Sequence, residues 1–250
     1  MPNAEPANAE PMSAVQIRVM GAPSVQIGPR IAPFKTRKAL ALALYLALEG
    51  PQPQDTLLEL LWPDAPNSGS LRTAALHVRQ ALGQEAGRLQ THWCGLSLDL
   101  SGAQLDVSVL GRLDTQAALA WPHSAFLAGL YLRGNAAWDT YLTWRGELLR
   151  DAYDQRLAEL FAAAMQAGDF AQASALASRR CDLDPLSETA CSQWASALHA
   201  AGLRRRAQDV LEAFARRFEQ MFGPNALPTR PAEVLNIQPP ARWLVGAARA

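Results

Sequence analysis

The sequence predicts an α+β winged helix-turn-helix domain with a small antiparallel sheet, followed by an all-α domain of tetratricopeptide-like helical repeats. Up to about residue 105, short alternating apolar runs flank three helical segments, and beyond Asp106 the strand signals vanish. Gly168 and Gly202 lie 34 residues apart, each between two apolar helices, which is the tetratricopeptide spacing. Four segments are therefore expected: a disordered tail at 1–13, the winged helix-turn-helix at 14–105, the helical-repeat domain at 106–235 and a second tail at 236–250.

Composition and charge indicate a globular protein whose acidic and basic residues balance. Of the 250 residues, 23 are basic and 23 are acidic, so any nucleic-acid surface must be local. The N-terminal stretch has neither the cationic start nor the apolar segment of a secretory signal. The longest apolar run, 39–48, is too short to cross a bilayer. We therefore expect a cytoplasmic protein that makes no membrane contact.

The first elements follow from hydrophobic periodicity. Apolar and polar side chains alternate over 15–19 and again over 25–27, as they do in half-buried strands, and a third short strand is expected within 30–34. The apolar run 39–48 could be a buried strand or a buried helix. Its Ala and Leu content and the Gly-Pro pair that follows favour the helix. A second helix is expected over 55–62.

A third helix is expected from Ser70, as its N-cap, to Gly83, which ends it. Its apolar stripe consists of residues spaced for one helix face, Leu71, Ala75, Val78 and Leu82. Strands at 88–91 and 96–100, around a turn at 92–95, then form the wing. The order of strands, three helices and a hairpin is that of a winged helix-turn-helix.

The side of this third helix opposite the stripe is polar and has a cationic edge. Thr73, His77 and Gln80 lie opposite the stripe, and Arg72 and Arg79 lie together at one edge. A helix that reads the major groove needs a buried back, a front that reaches base edges and cations near the phosphates. We expect the two arginines to contact phosphates and the three polar residues to contact bases. The alternative is an ordinary amphipathic surface helix.

Other side chains extend the candidate interface. Arg37 and Lys38 stand at the start of the first long helix, where backbone N–H groups favour a phosphate. Arg88 and His92 are wing candidates for the minor groove or the DNA backbone. Leu76 is expected to pack beneath the wing, the alternative being contact with a thymine methyl group. Trp62 is expected to fill the core between helices.

Beyond residue 106 the sequence predicts helices only. A long helix is expected over 136–167, a turn at Asp184-Pro185 and a last helix over 204–222. The four histidines and three cysteines show no metal-ligand spacing, and the cysteines are expected as reduced, buried or half-buried thiols. Sequence motifs of nucleophile elbows, dinucleotide sites and phosphate loops are absent. We therefore expect no enzymatic activity, no metal and no cofactor.

Several motifs add a family likeness. In the first half they are Arg37-Lys38-Ala39-Leu40, Leu61-Trp62-Pro63-Asp64, Leu71-Arg72, Val78-Arg79-Gln80-Ala81-Leu82-Gly83, and Leu98-Asp99-Leu100 with Asp106. They resemble the winged helix-turn-helix of the bacterial antibiotic-regulatory-protein activators and, more distantly, of OmpR-type response regulators. In the second half, FLAGL at 126–130, WRGELL at 144–149 and DPLSE at 184–188 resemble the bacterial transcriptional activator domain that follows this module.

The resemblance implies binding to double-stranded promoter DNA, pairing of protomers and recruitment of RNA polymerase. Positions matching His77 and Gln80 are often basic in the family, and the position matching Leu76 is usually polar. Affinity is therefore expected to be modest or to depend on pairing. The preferred hypothesis is a sequence-specific transcriptional activator whose helical-repeat domain serves self-association or polymerase contact. The alternative is an adaptor whose winged helix binds a protein in place of DNA.

Overall fold

The computed structural model describes residues 15–122 and 124–223. Two compact units are distinguished: the first holds the described residues of 1–109 and 122–148, the second those of 110–121 and 149–250. The expected tails at 1–13 and 236–250 lie outside the described residues. Within the described part, no helix combines the length and apolar content needed to cross a membrane. The same part contains no group of three or more His, Cys, Asp or Glu side chains arranged to hold a metal ion.

The first unit contains two small sheets. Its strands are β1 (Val15–Arg18), β2 (Ser24–Ile27), β3 (Arg30–Ile31), β4 (Gln52–Pro53), β5 (Leu89–Thr91), β6 (Gly95–Leu98) and β7 (Gln104–Leu105). One sheet has the order β3-β2-β1-β7, with β1 antiparallel to β2 and parallel to β7. The other has the order β4-β6-β5 and contains the predicted wing hairpin. The Asp106 carboxylate accepts hydrogen bonds from the backbone N–H groups of Val19 and Met20, both at 2.9 Å, and so fixes the chain leaving the first sheet.

Three helices lie between β3 and β5 in the sequence. They are α1 (Arg37–Glu49), α2 (Gln54–Leu61) and α3 (Ser68–Leu82). The predicted cap of α3 was wrong: Asn67 is the N-cap, its Oδ1 accepting from the Gly69 N–H at 2.7 Å, and Ser70 lies inside the helix. Gly83 ends the helix as expected, with a φ of 63° that favours glycine. Each of the three helices contributes leucines to the core, among them Leu42, Leu57 and Leu82, each at most 2% exposed.

Residues 124–148 complete the first unit. Leu127 and Leu130 are buried, and the Leu127 N–H donates to the Val19 carbonyl at 2.7 Å. The buried Asn135 donates from Nδ2 to the Leu60 carbonyl at 2.9 Å, while its Oδ1 accepts from the Trp138 N–H. The first unit therefore continues past the boundary expected at 105/106, because this segment covers apolar surface that the earlier residues leave open.

The second unit is helical, as predicted. Its elements are α4 (Thr115–Ala120), the later part of α5 (Ala136–Gln166), α6 (Phe170–Leu183), α7 (Glu188–Ala200) and α8 (Arg204–Phe222). Gly168 and Gly202, with φ of 74° and 78°, turn the chain into α6 and α8. These turns explain the 34-residue spacing, since a left-handed turn residue recurs at the same place in each helix pair. The Arg180 guanidinium pairs with the Asp154 carboxylate at 2.7 and 2.8 Å, which stabilises α6 against α5.

The cysteines provide a test of this packing. Burial raises the pKa of both Cys181 and Cys191 to about 12, so these thiols stay protonated at pH 8. Cys94 is exposed. Iodoacetamide at pH 8 is therefore expected to alkylate Cys94 in the native protein and all three thiols in urea, as peptide mass spectrometry would measure. Rapid native alkylation of Cys181 or Cys191 would contradict the packing of α6 and α7.

Candidate nucleic-acid interface

Helix α3 presents the face that its periodicity predicted. The apolar stripe is buried: Leu71, Ala75, Val78 and Leu82 are at most 5% exposed. On the opposite side Arg72, Thr73 and Gln80 are exposed and His77 is half-buried. The Thr73 hydroxyl donates to the Gly69 carbonyl at 2.9 Å, which leaves its oxygen free to accept. Within its unit, the front of the helix is therefore open to solvent over about two turns.

Leu76 corrects one expectation. It was expected to pack beneath the wing, but it is 52% exposed in the middle of the polar front. Its neighbours Arg72 and Gln80, four residues away on either side, share its face. A half-exposed Leu in that position is available for apolar contact with a partner, such as the methyl group of thymine.

Arg79 joins the helix to the wing. Its Nη2 donates to the Thr91 Oγ1 at 2.7 Å and to the Leu89 carbonyl at 3.2 Å, so the end of β5 is held beside α3. The remaining guanidinium N–H groups have no partner among the described residues. Arg79 is half-buried and positions the wing, while Arg72 is exposed and has no hydrogen-bond or ion-pair partner in the described part of the chain.

Arg88 does not belong to the candidate surface, contrary to the prediction. Its side chain is 8% exposed, and its Nε donates to a Glu85 carboxylate oxygen at 2.7 Å. Its Nη1 donates to the carbonyls of Asp99 and Ser101 at 3.1 and 2.8 Å. These bonds occupy Nε and Nη1 of the guanidinium at the base of the wing, as is usual for a buried charged group, which must be paired and hydrogen-bonded. The residue therefore stabilises the hairpin and is inaccessible to DNA.

The cations at the start of α1 are also partly committed. Arg37 is exposed, but its Nη1 donates to the Tyr131 carbonyl at 3.2 Å. The Lys38 Nζ lies 4.9 Å from the centre of the Trp62 ring, a cation–π contact. Desolvation lowers the pKa of Lys38, although the Asp64 carboxylate opposes the shift. Trp62 is half-buried and does not belong to the buried core, contrary to the expectation from the sequence; its ring serves as the partner of this cation.

The tip of the wing carries a residue that the sequence analysis did not single out. Trp93 is 99% exposed at the turn between β5 and β6. The neighbouring His92 is exposed and lies with its Nε2 2.7 Å from the Ser97 Oγ. A Trp in a tight turn, where small polar residues are usual, is the signal that could have drawn attention to it.

The interface is only weakly cationic. Arg30 donates to the Ala81 carbonyl at the end of α3, so this guanidinium is also occupied within the unit. Exposed carboxylates stand on and just after α2, at Asp55, Glu59 and Asp64. Few cationic side chains near the front of α3 lack a partner among the described residues. The long-range attraction of this surface for a polyanion is therefore weak.

The comparisons with known proteins identify the fold. No protein-family model matches the chain, and no curated protein sequence is significantly similar to it. A solved structure, Mycobacterium tuberculosis EmbR in complex with a low-affinity phosphopeptide, matches with a TM-score of 0.65 and 18% sequence identity. The match covers 94% of this chain and 69% of that chain. The predicted architecture of a winged helix-turn-helix followed by a helical domain is thereby confirmed.

Proposed function

We propose that the protein is a cytoplasmic, non-enzymatic transcription regulator that binds duplex DNA through α3 and the wing. The observation that carries the proposal is the open front of α3, where a polar row lies between the exposed Arg72 and a wing fixed by Arg79. This is the layout a major-groove helix requires. The family likeness of the motifs and the EmbR-like fold support the same interpretation.

Each residue has a separate role in this proposal. Arg72 and Arg79 bind phosphates, and Arg37 and Lys38 add weaker phosphate contacts, since both already have partners in the protein. The polar row, Thr73, His77 and Gln80, contacts base edges, with Gln80 suited to adenine. By the same resemblance, the helical-repeat unit serves self-association or contact with RNA polymerase, and the regulator acts as an activator.

The direct experiment is selection of bound fragments from random duplexes with the purified full-length protein. A sequence-specific regulator enriches one motif over successive rounds. A protein that recovers only random sequence, with affinity indistinguishable from non-specific binding, would contradict the proposal. The enriched duplex then serves as the probe for the variants below.

Arg72→Ala is expected to weaken binding to that duplex about tenfold and to reduce the salt dependence. Because each neutralised phosphate releases counterions, the slope of log K against log salt should fall by about one. Fluorescence anisotropy at several salt concentrations measures both quantities. The matched control is Arg112→Ala, an exposed arginine of the second unit, which should change neither. An unchanged slope in Arg72→Ala would remove Arg72 from the interface.

One pair of observations favours the adaptor hypothesis as a second candidate. Leu76 and Trp93 are exposed apolar side chains, 52% and 99% accessible, and apolar anchors are typical of protein interfaces. An adaptor would enrich no duplex in the selection. It would form a stable complex with another protein, and Leu76→Asp would disrupt that complex.

A further inference from the structure

Trp93 lies fully exposed on a rigid support. The two bonds between His92 and Gly95 close the turn: the His92 N–H donates to the Gly95 carbonyl at 2.9 Å, and the Gly95 N–H donates to the His92 carbonyl at 3.4 Å. The Gln54 N–H donates to the Cys94 carbonyl at 2.9 Å, so the tip is also tied to the start of α2. Arg79 holds the other strand at Thr91. The indole is therefore presented by a fixed hairpin and not by a flexible loop.

The close approach of β4 reinforces this support. A Cβ atom on Gly95 would lie 2.0 Å from the Gln52 carbonyl oxygen, so only glycine allows β4 and β6 to pair here. A tryptophan side chain offers 150–250 Å² of apolar surface, and its complete exposure is unfavourable in the free protein. A rigid hairpin that holds an indole in water is best explained by a partner that buries it.

The sequence of the wing limits what that partner contact can be. Between Leu89 and Gln104 there is neither Lys nor Arg, so this hairpin has no ammonium or guanidinium group to place in a groove. The aromatic ring is the largest group at the tip. Because Arg79 holds the hairpin beside α3, the indole would meet the DNA next to the major-groove contact. Apolar side chains that enter the minor groove act as wedges that unstack one base step and bend the duplex.

We propose that Trp93 is an intercalating wedge: its indole enters the minor groove beside the α3 site, partly unstacks a base step and bends the DNA. The step should be pyrimidine–purine, since TA and CA/TG steps deform most easily. The wedge supplies affinity by apolar contact, which accounts for a DNA surface with few open cations. This inference rests on the proposed function and adds to it a distortion that α3 alone would not produce.

The test uses the full-length protein and the selected duplex, with 2-aminopurine placed at successive positions beside the α3 site. Wild type should raise the 2-aminopurine fluorescence at one step and bend the duplex in a circular-permutation gel assay. Trp93→Ala should lose both signals and bind about tenfold more weakly, because one aromatic base contact is worth about that factor. Trp93→Phe should retain part of each signal.

Two control variants distinguish the Trp93 wedge from the general proposal that the protein binds duplex DNA. Arg72→Ala, at a protein concentration that saturates the duplex, should bend DNA as wild type does. Trp144→Ala, which removes another exposed tryptophan of the first unit, should change nothing. Trp93→Ala removes a fully exposed side chain, so its thermal unfolding should match wild type. The adjacent thiol of Cys94 gives a second measurement, because the bound duplex should protect it from alkylation.

The outcomes are distinct. Trp93→Ala that binds and bends the selected duplex as wild type does would overturn the wedge and leave the proposed function intact. Equal alkylation of Cys94 with and without bound duplex would also overturn it. A wild-type protein that binds no duplex would overturn the proposed function together with this inference.

Discussion

Replacing Trp138 by alanine is expected to destabilise the first unit by about 3–5 kcal/mol, the range for deleting a large buried aromatic side chain. Trp138 is 0% exposed, its Nε1 donates to the Leu130 carbonyl at 2.8 Å, and its ring lies 5.3 Å from that of Tyr141. The variant loses this packing, leaves a cavity and strands a buried carbonyl. Hydrogen exchange of peptides from α1 and α3 measures the free energy of opening of this unit.

The control for this variant lies on the same helix. Trp144 is 51% exposed, with its ring 6.2 Å from that of Tyr141, so Trp144→Ala should cost less than about 1 kcal/mol. If Trp138→Ala exchanged as slowly as wild type in α1 and α3, residues 124–148 would not be part of the first unit. The experiment therefore decides between the observed division of the chain and a boundary at 105/106.

The difference between the expected and observed boundaries has a physical cause. Periodicity reports which side of an element is apolar, and it located β1, β2, α1, α2, α3 and the wing. It carries no information on which distant segment covers an apolar surface. The hydrogen bond between Asn135 and the Leu60 carbonyl joins residues 75 positions apart, so no local sequence pattern predicts it. The strands β4 and β7 were missed for a related reason, because two residues are too few to show alternation.

The same limit applies to the candidate interface. The direction in which a residue of α3 points follows from helical spacing, so Arg72, Thr73 and Gln80 were placed correctly in the open. The availability of a guanidinium depends on its neighbours, which the sequence does not reveal. Arg88 and Arg72 are both arginines, but their guanidinium groups differ in availability. Arg88 is bound to one carboxylate and two carbonyls, whereas Arg72 has no partner in the described part of the chain.

Replacing Thr73, His77 and Gln80 together by alanine is expected to abolish sequence selectivity. Each base contact contributes about 1–3 kcal/mol of discrimination, so affinity for the selected duplex should fall at least about 100-fold, toward the level of random DNA. Binding to random DNA and its salt slope should persist, because Arg72 and Arg79 remain. Alanine is the strongest helix former, so α3 itself should stay intact. Competition between the selected and a scrambled duplex measures the ratio.

This triple variant separates recognition of the base sequence from non-specific binding to phosphates more clearly than Arg72→Ala does. Phosphate contacts act on every duplex alike, whereas contacts to base edges act only on the correct one. The matched control replaces three exposed polar residues of the second unit, Gln116, Gln172 and Thr189, by alanine and should leave the ratio unchanged. If the α3 variant kept its preference for the selected duplex, that preference would have to come from the shape of the DNA or from the wing. The role of α3 would then be reduced to that of a scaffold.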